Sequence, residues 1–405
     1  MNDALMTVYS RAPLDVSHGI GCRLYATDGR SYLDCVGGIA TDALGHCHPL
    51  LVTALEAQAR RLWHVSNIFR IPEQEALAKR LTDATFADVA FFANSGTEAI
   101  ECAIKTARRY HYVRGAPDRI DIVGFAGSFH GRTLAAVNAS GNATYLEGFG
   151  PPMAGFVQCH LDDGAATMAA IAAPTTAAVI VEPVQGEGGA RALDGVWLRR
   201  VRQACDAAGV LLIYDEVQSG MGRTGRLFAH QWFDDCEPDI MATAKALGGG
   251  FPVGACLATS AAAIGMTVGA HGSTFGGNPL AMAVGIAAFD AIADDATLAH
   301  AREMATRFTV GLGRLAADYP DLVVDVRGKG LLIGVKLRVN NREMMAALRE
   351  RGLLVAGGGD NCIRLLPPLI ITPEEVDEAV ALIAVTFAAW RTRATATAAA
   401  AAVAA

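Results

Sequence analysis

A chain of 405 residues exceeds the size at which one hydrophobic core keeps growing, so two domains are expected. With 52% hydrophobic and 19% charged residues, its composition excludes a disordered or fibrous protein. Its 34 Lys and Arg against 41 Asp and Glu give a formal charge of −7, which argues against a nucleic-acid partner, because such binding needs a basic face.

The stretch from Met1 to Val16 has no basic flank ahead of an apolar core, so no signal peptide is expected, and no uncharged apolar run reaches membrane-spanning length. Nine scattered cysteines with no C-x-x-C pair suit reduced, buried thiols in a cytoplasmic enzyme. Residues 1–45 are expected to pack beside a smaller C-terminal domain. His46 and His48 flank Cys47, but three adjacent side chains diverge and chelate poorly, so no metal is expected.

Residues 46–280 form the expected large domain, in which short β-branched or aromatic runs alternate with helical patterns. That is the signature of a mostly parallel α/β sheet flanked by helices. Val89 to Ser95 reads as a strand leading into a helix from Thr97 to Tyr110, where Ile100, Ala103, Ile104 and Ala107 recur at helical spacing. Further strands are expected at Asp121 to Phe125, Ala177 to Val184, Val210 to Val217 and Asp239 to Ala244, with a helix from Val196 to Ala208 stopped by Gly209. Residues 281–390 read as a smaller α+β domain ending in a helix from Pro373. The alanine-rich tail, 391–405, reads as a frayed helix or disordered segment.

Ligands of open parallel sheets bind beyond the carboxyl ends of the strands, so the residues that follow each strand belong together. Ser95-Gly96-Thr97 opens a helix on a glycine, a turn that can bind phosphate through free N–H groups, although alone it is also an ordinary junction with Thr97 as N-cap. Asp215 and Glu216 end an apolar strand, where a carboxylate can be solvated or can be held inside to pair with a cation. Lys245 follows the next strand and precedes Gly248-Gly249-Gly250, a placement suited to a desolvated amine. An anion cradle, an acid and a lysine on one sheet are the parts that hold pyridoxal phosphate.

The chain resembles the class III aminotransferases, in particular their acetylornithine and succinylornithine branch. The resemblance runs through GGIATDALGHCHP (37–49), ATFADVAFFANSGTEA (84–99), GSFHGRT (127–133), VEPVQGEGG (181–189), YDEVQSGMGRTG (214–225), TAKALGGGFPVGA (243–255), HGSTFGGNPLA (271–281), RGKGLLIG (327–334) and IRLLPPL (363–369). It implies a fold type I, pyridoxal-phosphate-dependent homodimer that passes the terminal amine of N2-acetylornithine to 2-oxoglutarate, giving glutamate, in arginine biosynthesis. A succinylornithine or other ω-amino acid aminotransferase is the alternative.

By that resemblance Lys245 is the Schiff-base lysine, Asp215 pairs with the pyridine nitrogen, and Gln218 lies near the ring's phenolate oxygen. Ser95, Gly96 and Thr97 cradle the phosphate, Phe129 stacks on the ring, and Thr274 reaches the phosphate of the neighbouring subunit's cofactor. Arg132 and Arg364 are implied to bind substrate carboxylates, with Glu187 pairing Arg364 and Ser273 also contacting substrate. His130 is expected to support the ring. Ile39 stands where ornithine δ-aminotransferases carry a tyrosine that holds the substrate's α-end, which favours an N-acylated donor.

Overall fold

In the computed structural model, which describes residues 4–404 and side chains as far as residue 393, apolar runs between residues 89 and 258 pair into one seven-stranded sheet. In spatial order its strands are Val89–Ala93, Gly254–Ala258, Ile240–Thr243, Leu211–Asp215, Thr176–Val181, Asp121–Phe125 and Phe156–Cys159. Gly254–Ala258 runs antiparallel to both its neighbours, and the other pairings are parallel. Every residue of Thr176–Val181 and Leu211–Asp215 is buried, so these strands read as continuous apolar runs without alternation, as strands covered on both faces do.

Helices cover that sheet. Gly96–Val113 buries Ala99, Ile100, Ala103, Ile104 and Ala107 as a stripe on one face. Its N-cap is Ser95, whose hydroxyl accepts the N–H of Glu98, and not Thr97; the strand before it ends at Ala93 because Asn94 and Ser95 turn to meet the Glu98 carboxylate. Gly195–Ala208 starts at the Asp194 cap and stops where Gly209 takes a left-handed conformation, φ +62°.

A second seven-stranded sheet runs in the order Val16–Ile20, Arg23–Ala26, Ser31–Cys35, Leu353–Gly358, Cys362–Leu365, Leu332–Leu337 and Val323–Lys329. Its first three strands come from the N-terminal segment and join the C-terminal ones through parallel pairing of Ser31–Cys35 with Leu353–Gly358. The helix Pro279–Ile292 packs against Pro49–Ala59 and Pro72–Asp83. The alanine-rich tail continues the last helix, Pro373–Ala404; residues 1–3 and 405, the extreme ends of the two terminal segments, lie outside the described residues. Among the described residues no helix is long and apolar enough to cross a membrane.

Candidate active site

The parallel register brings the strand ends together. Tyr214 pairs with Val181 and Asp215 with Ala242, so Asp215 emerges beside Glu182 and a few residues from Lys245. Adjacent residues of a strand face opposite sides, and the two acids at this end part accordingly. Asp215 lines a cavity of about 400 Å³. Glu216 turns away and is consumed by structure, accepting the N–H groups of Ala229 (2.6 Å) and His230 (2.8 Å) and the hydroxyl of Ser219.

Lys245 lines the same cavity, and burial pushes its ammonium down from 10.5 to about 8, against the opposing charges of Glu187, Asp215 and Glu182. Its backbone is left-handed, φ +47°, a conformation uncommon for a non-glycine residue.

Behind Asp215 stands His130, whose Nδ1 lies 2.7 Å from Asp215 Oδ2, while Oδ1 accepts the N–H of Val217 at 3.0 Å. Burial opposes charge on His130, but the hydrogen bond and charge of Asp215, with Glu182 nearby, hold the imidazole above its ordinary value. Glu182 is fully enclosed; burial and then the Asp215 charge push its carboxyl up to about 8, although it accepts the N–H groups of Phe129 (3.1 Å) and Gly186 (3.3 Å).

At the opposite wall the helix from Gly96 begins. The Ser95 hydroxyl is committed to Glu98, and among the described residues the N–H groups of Gly96 and Thr97 have no protein partner, the usual state of a helix start and one suited to an anion. The approach is close: a Cβ at Gly96 would lie 2.7 Å from Val217 Cγ1, and one at Gly131, where φ is +128°, would lie 2.2 Å from Thr97 Oγ1.

The two arginines differ sharply. Arg132 is exposed and has no carboxylate partner among the described residues; its guanidinium lies 3.8 Å from the centre of the Tyr145 ring and 5.6 Å from that of Phe129. Arg364 is buried and fully engaged, with Nη2 2.7 Å from Glu187 Oε1, Nη1 3.1 Å from Gln218 Oε1, and Nε donating to the Gly357 carbonyl.

Not every expected residue lines this cavity. Ser273 bonds Asn94 at 3.3 Å and lines a neighbouring cavity, and Thr274 is exposed. Ile39 packs against a small cluster that includes Val184 and Leu366, and His46 is held by Asp34 at 2.8 Å.

The donor set fits pyridoxal phosphate. It combines a buried amine of lowered basicity, a carboxylate oriented by His130 and Val217 for a protonated ring nitrogen, unpartnered N–H groups for a phosphate, and a phenyl ring for stacking. Among the described residues the buried Nε2 of His130 also has no partner. Glu182 is the residue that sequence reasoning passed over. Its signal was available, since it is an acid ending a wholly apolar strand, inside a motif already singled out, next to the strand of Asp215.

The amine's lowered basicity has a measurable consequence, because only the neutral form attacks an aldehyde. The rate at which cofactor-free protein captures a small aldehyde at Lys245 is expected to rise about tenfold per pH unit and level off near pH 8. A rate still rising toward pH 10 would mean an ordinary, solvated lysine.

The aminotransferase class-III family model matches residues 6–387. The acetylornithine aminotransferase 2 of Caulobacter vibrioides is 64% identical over 377 residues, 93% of each chain. The ornithine aminotransferase of Toxoplasma gondii superposes with a TM-score of 0.92 at 32% identity, covering 96% of this chain and 94% of that one. The N-acetylornithine aminotransferase of Stenotrophomonas maltophilia does so with a TM-score of 0.83 at 36% identity, covering 95% and 98%.

Proposed function

The chain belongs to the class-III aminotransferases, and from that premise we propose that it transfers the terminal amino group of N2-acetyl-L-ornithine to 2-oxoglutarate, using pyridoxal phosphate. The products are N-acetyl-L-glutamate 5-semialdehyde and L-glutamate. The observation that carries the substrate assignment is the contrast between a bare Arg132 and an Arg364 masked by Glu187 around one buried lysine. Such a site meets a donor with one carboxylate and an acceptor with two. Isoleucine at position 39 supports an acylated donor over free ornithine.

Pyridoxal phosphate, when bound, supplies an aldehyde that condenses with the amine and a ring that accepts electrons from the carbon beside it. The protein's own groups do the rest. Lys245 would hold the cofactor, and its weakly basic amine, once free, would move the proton of the donor's amine-bearing carbon. Asp215 keeps the ring nitrogen protonated, with the His130 hydrogen bond fixing the carboxylate in place. Gly96 and Thr97 would hold the phosphate, Phe129 the ring face and Gln218 the ring's phenolate oxygen.

Arg132 grips the donor's α-carboxylate while Glu187 covers Arg364, since an unpaired buried guanidinium facing an apolar chain would cost several kcal/mol. When 2-oxoglutarate enters, Glu187 swings away, Arg364 takes the α-carboxylate and Arg132 the γ-carboxylate. Arg364→Ala is therefore expected to slow the 2-oxoglutarate half-reaction by roughly ten- to a hundredfold and the donor half-reaction less, because charge-assisted hydrogen bonds contribute about 1.5 to 3 kcal/mol. Stopped-flow measurement of each half-reaction separates the two effects. Equal losses in both would make Arg364 a structural residue.

The same reading makes the molecule a cytoplasmic homodimer with no nucleic-acid partner. Thr274, which does not line this chain's cavity, serves the partner's, and Ser273, bonded to Asn94 at the cavity wall, contacts substrate. It also takes residues 46–280 as the cofactor-binding domain, with 1–45 packing beside the smaller domain at 281–390. The test of the function is steady-state turnover of N2-acetylornithine, N2-succinylornithine, ornithine and 4-aminobutyrate side by side with 2-oxoglutarate. The acylornithines should lead by kcat/KM, and equal or better turnover of free ornithine would reject the reading.

A further inference from the structure

The acid that follows the strand Thr176–Val181 stands in an unfavourable place. Glu182 is buried and lines the Lys245 cavity, with the charge of Asp215 opposing its own. An enclosed carboxyl beside another acid costs stability that an apolar residue of similar size would not, so its presence calls for a role beyond packing.

That role is visible in what its two oxygens hold. Oε2 accepts the N–H of Phe129 at 3.1 Å and Oε1 that of Gly186 at 3.3 Å, so one carboxylate joins two segments remote from each other along the chain. Gln185 makes a second tie between the same segments. It is buried, and its amide nitrogen donates at 3.1 Å to both the Ala126 carbonyl and the Ser128 hydroxyl. The packing around the turn leaves no room for further side chains: a Cβ at Gly188 would lie 2.7 Å from the Gly127 carbonyl, and one at Gly186 1.8 Å from Gln218 Oε1.

What these ties fix follows from the residues beside them. Phe129 lines the cavity, and Gly186 immediately precedes Glu187. From the other side the Glu187 carbonyl accepts the N–H of Gly359 at 2.7 Å. The backbone at Glu187 is therefore held before and after its Cα, while its carboxylate reaches Arg364 at 2.7 Å. The side chain is the part left to move.

We propose that Glu182, together with Gln185, is a positioning residue that locks the Phe129 segment and the Glu187 turn into one unit, so that Glu187 leaves and regains Arg364 by side-chain rotation from a fixed backbone while the Phe129 ring stays in place. The proposal rests on the proposed function, in which Phe129 holds the cofactor's ring face and Glu187 uncovers Arg364 for the acceptor.

Its test compares Glu182→Gln and Gln185→Leu with the wild-type chain. The first keeps the volume but offers one accepting oxygen to two N–H groups, and the second removes both donated bonds. With the turn loosened, Glu187 covers Arg364 less often. The half-reaction with N2-acetylornithine should then slow relative to that with 2-oxoglutarate by about five- to tenfold in stopped flow, the scale of one lost hydrogen bond. Titration of pyridoxal phosphate into the cofactor-free chain, followed by tryptophan fluorescence, should give a dissociation constant raised by about the same factor, because Phe129 has lost its anchor. Equal slowing of both half-reactions, or an unchanged dissociation constant, would overturn the proposal and leave the two residues as packing groups. If Glu182→Gln does not fold, Gln185→Leu decides by the same two readings. Wild-type turnover of N2-acetylornithine is independent of either result, and its absence would instead remove the proposed function.

Discussion

Lys245→Ala is expected to lower turnover by at least about 10⁴-fold, because on the proposed reading one side chain supplies both the covalent hold on the cofactor and the proton transfer at carbon. The fold gives the amine no substitute. Lys245 lines the cavity at the end of its strand on a left-handed backbone, and among the described residues no other lysine lines that cavity. Borohydride treatment of the wild-type holoenzyme should fix the cofactor to the peptide that contains Lys245, and the variant should retain no fixed label. Label found on another lysine of the variant would displace Lys245 from its role.

Asp215→Asn should still bind cofactor, since Lys245 and the helix start at Gly96 are untouched, yet transaminate on the order of 10²- to 10⁴-fold more slowly. An amide cannot hold the ring nitrogen protonated as a carboxylate can, and breaking a buried charge pairing costs about 3 to 5 kcal/mol. The change also removes the charge that keeps His130 above its ordinary value. Single-turnover rates with N2-acetylornithine near those of wild type would contradict the assignment.

Much of this site is legible in the sequence, and for a physical reason. Strands buried on both faces, such as Thr176–Val181 and Leu211–Asp215, must be apolar throughout, so the polar residue that ends each one stands out. Lys245, Asp215 and the Ser95-Gly96-Thr97 turn are recognisable in this way. What lateral neighbours decide is less legible. Gly254–Ala258 looks like the continuation of a glycine-rich loop, and only its insertion between Val89–Ala93 and Ile240–Thr243 makes it a strand. The cap on Gly96–Val113 is Ser95 because the Glu98 carboxylate reaches back to it, a choice that Thr97 could equally have claimed on composition. Glu182 acquires its raised carboxyl from burial beside Asp215, and that adjacency exists only once the two strands are in register.

The central claim is that a terminal amine passes through this one site to an α-keto acid. It is tested most directly by following nitrogen-15 from the terminal amino group of N2-acetylornithine in the presence of 2-oxoglutarate. The label should appear in the α-amino group of glutamate, one equivalent for each semialdehyde formed, and with 2-oxoglutarate withheld the reaction should stop after one equivalent of semialdehyde per active site. Label released as free ammonia, or continued turnover without the keto acid, would contradict the account.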